Sequence, residues 1–194
     1  GKMRFNGHPL ADQSVKERAD QIGYILQDPN QMISKTMIFD EVAAGLVLRG
    51  VADDEVKRRV QAVLKVCGLY EFRHWPISAL SFGQKKRVTI AAILVLEPAM
   101  LILDEPTAGQ DLQHYTEMMT FLTKINQEQH MTIMLITHDM HLMLEYTDRT
   151  IVLGHGNILM DARPADVLTN ASIIQQASLA KTSLYTLAET HHLN

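Results

Sequence analysis

Residues 80–111, LSFGQKKRVTIAAILVLEPAMLILDEPTAGQD, constrain the fold of this chain more than any other stretch. Ser81-Phe82-Gly83-Gln84 has the S-x-x-Q spacing of a capping box, in which serine and glutamine side chains satisfy two free backbone donors at a helix start. The helix body is expected over residues 85–96, stopped by Pro98, which cannot continue it. Met100-Leu101-Ile102-Leu103 is short and wholly apolar, like a strand buried on both faces of a parallel sheet. It ends in adjacent carboxylates, Asp104 and Glu105, and Pro106 closes it. In open α/β sheets ligands sit beyond the carboxyl ends of the strands, where these acids would lie.

The remaining sequence alternates in the same way. Residues 2–5 read as a strand, Asn6-Gly7 as a tight turn and residues 8–10 as the returning strand. Residues 14–20 are a short polar helix or turn. Residues 22–26 are an apolar strand that runs into Gln27-Asp28-Pro29-Asn30-Gln31, a polar loop broken by proline. From about residue 36 to 88 the chain reads as a helical subdomain. Ile38, Val42, Ala43 and Leu46 share a helix face, and Asp53 is expected to cap a helix whose stripe is Val56, Val60, Val63, Leu64 and Cys67. Gly68 followed by Leu69 is a helix stop. Residues 70–76 form an aromatic-rich short helix or turn leading to the Ser81 cap.

Beyond the acids, Asp111 is expected to cap a helix carrying Leu112, Tyr115, Met119, Leu122 and Ile125 on one side. Residues 132–136 are the next buried strand, ending at Thr137-His138-Asp139, and another helix runs to about Tyr146. Residues 150–160 make a β-hairpin at the sheet edge. From Pro164 the chain is helical and polar, fading after about Lys181. Strands alternating with helices predict a mostly parallel α/β sheet.

The totals narrow the function. The 194 residues suit one domain, or one with a subdomain, and a net charge of -4 argues against a nucleic-acid-binding footprint. The single Cys67 permits no intrachain disulfide and reads as a small buried apolar residue. The longest apolar run, residues 90–96, is far short of the roughly 18 residues of a membrane span, so any membrane role passes through a partner. His138 and His141 lack a third ligand for a metal site, and His191-His192 read as a tail.

The acids admit two readings. Asp104 and Glu105 point to opposite sides of the strand end, so one can hold Mg2+ through water while the other polarises a nucleophilic water. They also fit a helix cap plus a solvated acid. Gly83 in the first helical turn lets an outside phosphate approach free amides at the positive dipole end, with the Ser81 hydroxyl as a further donor. Simple capping explains the same residues. Gln27 and His138, single polar residues at two other strand ends, can sense Mg2+ or a γ-phosphate, or be ordinary turn residues.

Taken together, these residues closely resemble the ATP-binding-cassette (ABC) ATPase family. LSFGQ at residues 80–84 is similar to the family's signature motif, and residues 100–105 to its Walker B strand. Gln27 corresponds to the Q-loop, Ala108-Gly109-Gln110-Asp111 to the D-loop and His138 to the switch histidine. The wording of the Q-loop, the Phe in LSFGQ and the Gly-Gln of the D-loop resemble the ATPases of energy-coupling factor (ECF) importers of vitamins and cobalt.

The resemblance implies an α/β, P-loop NTPase-like fold with a mostly parallel sheet and an inserted helical subdomain. Residues 1–27 would be the remnant of the N-terminal β part, 28–90 the helical subdomain with the signature motif, 91–163 the RecA-like core and 164–194 a helical tail. It implies ATP and Mg2+ as cofactors. Glu105 would be the general base and Asp104 the Mg2+ holder. Gln27 would touch Mg2+ or the water and relay to the membrane subunit, and His138 would contact the γ-phosphate. Ser81, Gly83 and Gln84 would bind ATP held by a second ATPase domain, in a homodimer, heterodimer or tandem chain, and Asp111 would work across that interface. The other partners implied are a transmembrane coupling subunit and a substrate-binding membrane subunit, with no nucleic acid. The setting implied is the cytoplasmic face of the membrane.

One departure is large: the phosphate-cradling G-x-x-x-x-G-K-[ST] motif does not occur, the only Gly-Lys being Gly1-Lys2 followed by Met3. The chain is expected to be a fragment beginning downstream of that motif and unable to hydrolyse ATP alone. The rival readings are a non-catalytic module that lends its signature helix to a partner ATPase, and a soluble ABC protein not coupled to transport.

Overall fold

The computed structural model describes residues 2–177 and 179, and the chain divides into two compact units, residues 1–136 and 137–194. The boundary falls inside the segment 91–163 that the sequence groups as one core. In the first unit, β1 (Arg4–Phe5) and β2 (His8–Pro9) form the expected antiparallel hairpin. Asn6 (φ 48°) and Gly7 (φ 82°) both turn left-handed, as a two-residue turn of type I′ demands. Helix α1 (Val15–Gln21) starts on a full capping box between Ser14 and Glu17.

The centre of the unit is a three-stranded parallel sheet, ordered β3 (Ile22–Ile25), β4 (Met100–Asp104), β5 (Thr132–Ile136). Ile25 lies opposite Leu103, and Asp104 opposite Ile136. The insert between β3 and β4 is helical: α2 (Ile38–Leu48), α3 (Asp53–Val66) and α4 (Phe82–Leu94). Its core is Ile38, Val42, Leu46, Val60, Leu64 and Cys67, all 1% exposed or less. Gly68 (φ 67°) ends α3, with the Leu69 amide donating back to the Leu64 carbonyl at 2.8 Å and the Leu69 side chain buried.

Several expectations are corrected. Ala52, not Asp53, is the N-cap of α3; Asp53, Asp54 and Glu55 fill the first turn and complement the helix dipole. Helix α4 begins at Phe82 and ends at Leu94, and Glu97 in the left-handed region (φ 56°) turns the chain before Pro98. Strand β4 is fully buried on one face only: Leu101 and Leu103, with Gly23 and Ile25 of β3, face the interior, Met100 and Ile102 opposite are half-buried, and beside them Tyr24, Met134 and Ile136 of the flanking strands are each more than 40% exposed among the described residues. In α5 (Leu112–Gln129) the buried side is Met118, Met119, Phe121, Leu122 and Ile125. Leu112, the first helical residue, is 80% exposed.

The second unit opens with α6 (Met140–Tyr146). Strands β6 (Thr150–Gly154) and β7 (Asn157–Ala162) form the expected hairpin, but as a separate antiparallel sheet rather than an edge of the parallel one. Helices α7 (Pro164–Leu168) and α8 (Ala171–Gln176) follow. They are not simply polar: Val167 and Leu168 join Met140, Met143 and Val152 in one core. The proposed fading after Lys181, the 182–194 tail and His191-His192 lie outside the described residues.

Candidate functional site

Parallel strands release their chains at the same end, so β3 and β4 deliver Gln27 and the Asp104–Glu105 pair to one rim of the sheet. Asp104, the last residue of β4, is half-buried and its Oδ2 accepts from the Tyr24 hydroxyl at 3.3 Å. Desolvation, then the neighbouring Asp104 charge, raises the Tyr24 pKa above the ordinary phenol value.

Glu105 takes a left-handed backbone (φ 43°), a conformation that costs a residue other than glycine roughly 1–3 kcal/mol and persists only where surroundings fix it. Hydrogen bonds on both of its peptides hold it here. The Glu105 amide donates to the Ile136 carbonyl at 2.9 Å, and its carbonyl accepts from Lys86 Nζ at 3.1 Å and from the Ala108 amide at 3.2 Å. The same ammonium donates to the Gln27 carbonyl at 3.0 Å. Lys86 is thus the hub of the rim, with no exposed surface. Burial holds its pKa below the usual lysine value, opposed by the charges of Asp104, Glu105 and Asp28. Gln27 itself is exposed, and the loop after it is pinned by local bonds: Asp28 Oδ1 accepts from the Asn30 amide at 2.9 Å. Further along, the buried carboxylate of Glu41 accepts from the Ser34 and Lys35 amides at 2.8 and 2.6 Å.

The N-terminus of α4 is a second, outward-facing group. Ser81 Oγ accepts from the Gln84 amide at 3.3 Å, and Gln84 Oε1 accepts from the Ser81 amide at 3.0 Å, completing the expected box. Gly83 faces open space: a Cβ built there meets nothing within 4 Å, so the packing of this chain does not require glycine at that position. Asp111 caps α5 through the His114 amide and also bonds the His114 ring at 2.9 Å; these hydrogen bonds to His114 lower its pKa. His138 lies in the second unit, exposed, between Thr137 and Asp139. The Asp139 side chain caps α6 by accepting from the amides of His141 and Leu142. Among the described residues no cluster of three or more His, Cys, Asp or Glu is gathered as for a metal ion.

The structure therefore assembles Gln27, Asp104 and Glu105 at one rim, groups Ser81, Gly83 and Gln84 at the start of α4, and places Asp111 at a helix cap. Sequence reasoning missed Lys86, Tyr24 and Glu41. Lys86 carried a signal: it falls four residues before Ile90 and eight before Leu94, on an apolar helical stripe where a lysine is out of place. Tyr24 and Glu41 gave none, since their partners depend on cross-strand register and loop path.

A sequence model described as ABC transporter matches residues 1–108. The chain is 98% identical over all 194 residues to a candidate ABC transporter ATP-binding protein of Lactiplantibacillus plantarum, and 64% identical over 189 residues to one of Enterococcus faecalis. These matches cover 100% and 97% of this chain but 34% and 33% of the relatives, so the chain spans about a third of the length of the curated relatives it matches. Among solved structures, CbiO1 of Clostridium perfringens, described as part of the ABC transporter complex cbiONQ, is similar with a TM-score of 0.81 at 34% identity. The match covers 96% of this chain and 75% of that one. The fold shared is α/β and P-loop NTPase-like, with parallel strands and flanking helices.

Proposed function

Because this chain belongs to the ABC transporter family, we propose that it is the Q-loop, signature and Walker B part of an ATP-hydrolysing subunit that energises an importer of the energy-coupling factor type. The observation that most supports this reading is the convergence of Gln27, Asp104 and Glu105 on one sheet rim, beside a helix whose start is open to a ligand. Support for the ECF type comes from the likeness to CbiO1 and from the wording of the signature and D-loop.

The donor set suits Mg2+, which binds through one or two carboxylates, retained waters and substrate phosphates. Bound with ATP, Mg2+ supplies charge neutralisation on the transferring phosphoryl group. Asp104 would hold the ion through water, its carboxylate accepting from the Tyr24 hydroxyl of the neighbouring strand. Gln27 would reach the ion or the attacking water and relay the state of the site to the transmembrane partner. Glu105 is the general base that takes the water's proton. His138 contacts the γ-phosphate. Ser81, Gly83 and Gln84 donate to the γ-phosphate of ATP held by a second ATPase domain, and Asp111 works across that interface. The lysine and amides that cradle the β- and γ-phosphates come, in this reading, from a segment outside the 194 residues. Membrane association runs through a transmembrane coupling subunit; no helix among the described residues is long and apolar enough to cross a membrane.

The deciding experiment uses the full-length L. plantarum relative. Glu105→Gln is expected to lower steady-state ATP hydrolysis by about 10²- to 10⁴-fold while ATP binding is retained. An unchanged rate rejects Glu105 as the base.

A further inference from the structure

Helix α4 presents two unlike surfaces within its first two turns. Ser81, Gly83 and Gln84 lie at its open start, whereas Lys86 points inward and is sealed from solvent. A buried ammonium is expensive unless each donor finds an acceptor. On the stripe shared with Ile90 and Leu94, an apolar chain would fill the same space. The two acceptors that Lys86 finds are main-chain carbonyls of residues central to the proposed chemistry: Gln27 at 3.0 Å and Glu105 at 3.1 Å. Glu105 has its amide held by Ile136 at 2.9 Å, so the peptides on both sides of its Cα are anchored, in a φ that only an over-determined setting sustains.

We infer that Lys86 is a positioning residue, tying α4 to the Gln27 and Glu105 carbonyls and thereby setting the backbone from which both side chains project. This rests on the reading of Glu105 as general base. Lys86 is shut away from solvent, so it acts through the Glu105 peptide rather than on a phosphate. It also joins the helix that starts at Ser81 and Gly83 to the rim that carries Gln27 and Glu105. A base must sit within hydrogen-bond reach of the water it activates, and small misplacements are costly.

The test is steady-state ATP hydrolysis by the full-length L. plantarum relative carrying Lys86→Met, Glu105→Gln or both. Lys86→Met keeps the stem and removes the donors. It is expected to lower kcat by about 10- to 100-fold with KM for ATP within about twofold, a split that mere loosening of the fold would not produce. The double variant is expected to be no slower than Glu105→Gln alone, because Lys86 acts through that residue. An unchanged kcat in Lys86→Met, a change confined to KM, or losses that multiply in the double variant each overturn the inference. Glu105→Gln alone reports on the general-base reading, so failure there is separable from failure of Lys86. If Lys86→Met does not fold, Lys86→Gln, which keeps a shorter donor, carries the same comparison. It is expected to lower kcat less than tenfold with KM unchanged, and wild-type kcat in it overturns the inference.

Discussion

Cys67 caps α3 with no exposed surface, and burial pushes its thiol up to about 12. Only the thiolate reacts, so the native thiol should be inert to iodoacetamide at pH 8 and labelled rapidly once urea unfolds the chain. Fast labelling of the native state would contradict that burial. The same shift fixes a sign for stability. Above pH 9 the unfolded thiol ionises while the native one stays protonated, so the native state holds more protons and stability falls as pH rises. The roles of other single residues divide by how local their chemistry is. Ser81, Gln84 and Asp111 could be read because capping partners lie three residues apart. Lys86 could not be understood from its neighbours, since both of its acceptors are carbonyls far along the chain. What could be seen was only a charge on an apolar stripe.

At the scale of elements, α4 packs directly against β3 at Gly23. A Cβ on Gly23 would collide with the Ile93 methyl and stand 3.0 Å from Leu101 Cδ1, so the missing side chain is what lets the helix approach β3. Gly23→Val is expected to destabilise the protein by about 1–3 kcal/mol, read as a lower urea midpoint with an unchanged slope. A midpoint equal to wild type would mean that α4 can move away freely. The elements themselves were legible where turn or cap chemistry announces them: the Asn6-Gly7 hairpin, the Ser81 box, the Gly68 stop. Boundaries and faces were less so. Asp53 passes the cap position to Ala52 because acids also suit the first turn, and Leu112 is apolar yet sits outside the buried arc of α5. The apolar sequence of β5 predicts a buried strand, but side-chain type does not say which neighbour covers which face. Met134 and Ile136 remain exposed in the described residues.

The whole molecule has the fold of its family while covering about a third of its curated relatives' length. The sequence lacks the phosphate-cradling motif, and positioned donors carry much of the rate in phosphoryl transfer. The 194-residue chain by itself is therefore expected to show no Mg2+-dependent ATP turnover. Turnover by the purified chain that disappears in Glu105→Gln would refute this. The second unit's hairpin and helices were legible as elements but not as an independent sheet with its own core, because strand spacing alone does not tell which sheet a hairpin joins. The capping box of α4 has a consequence for assembly. Each of the two side chains that shape this helix start already accepts from the other residue's backbone amide, so its conformation is set within the chain rather than on contact. A partner meeting this surface encounters a rigid template and loses little entropy in ordering it, which leaves more of the contact energy for holding the two molecules together.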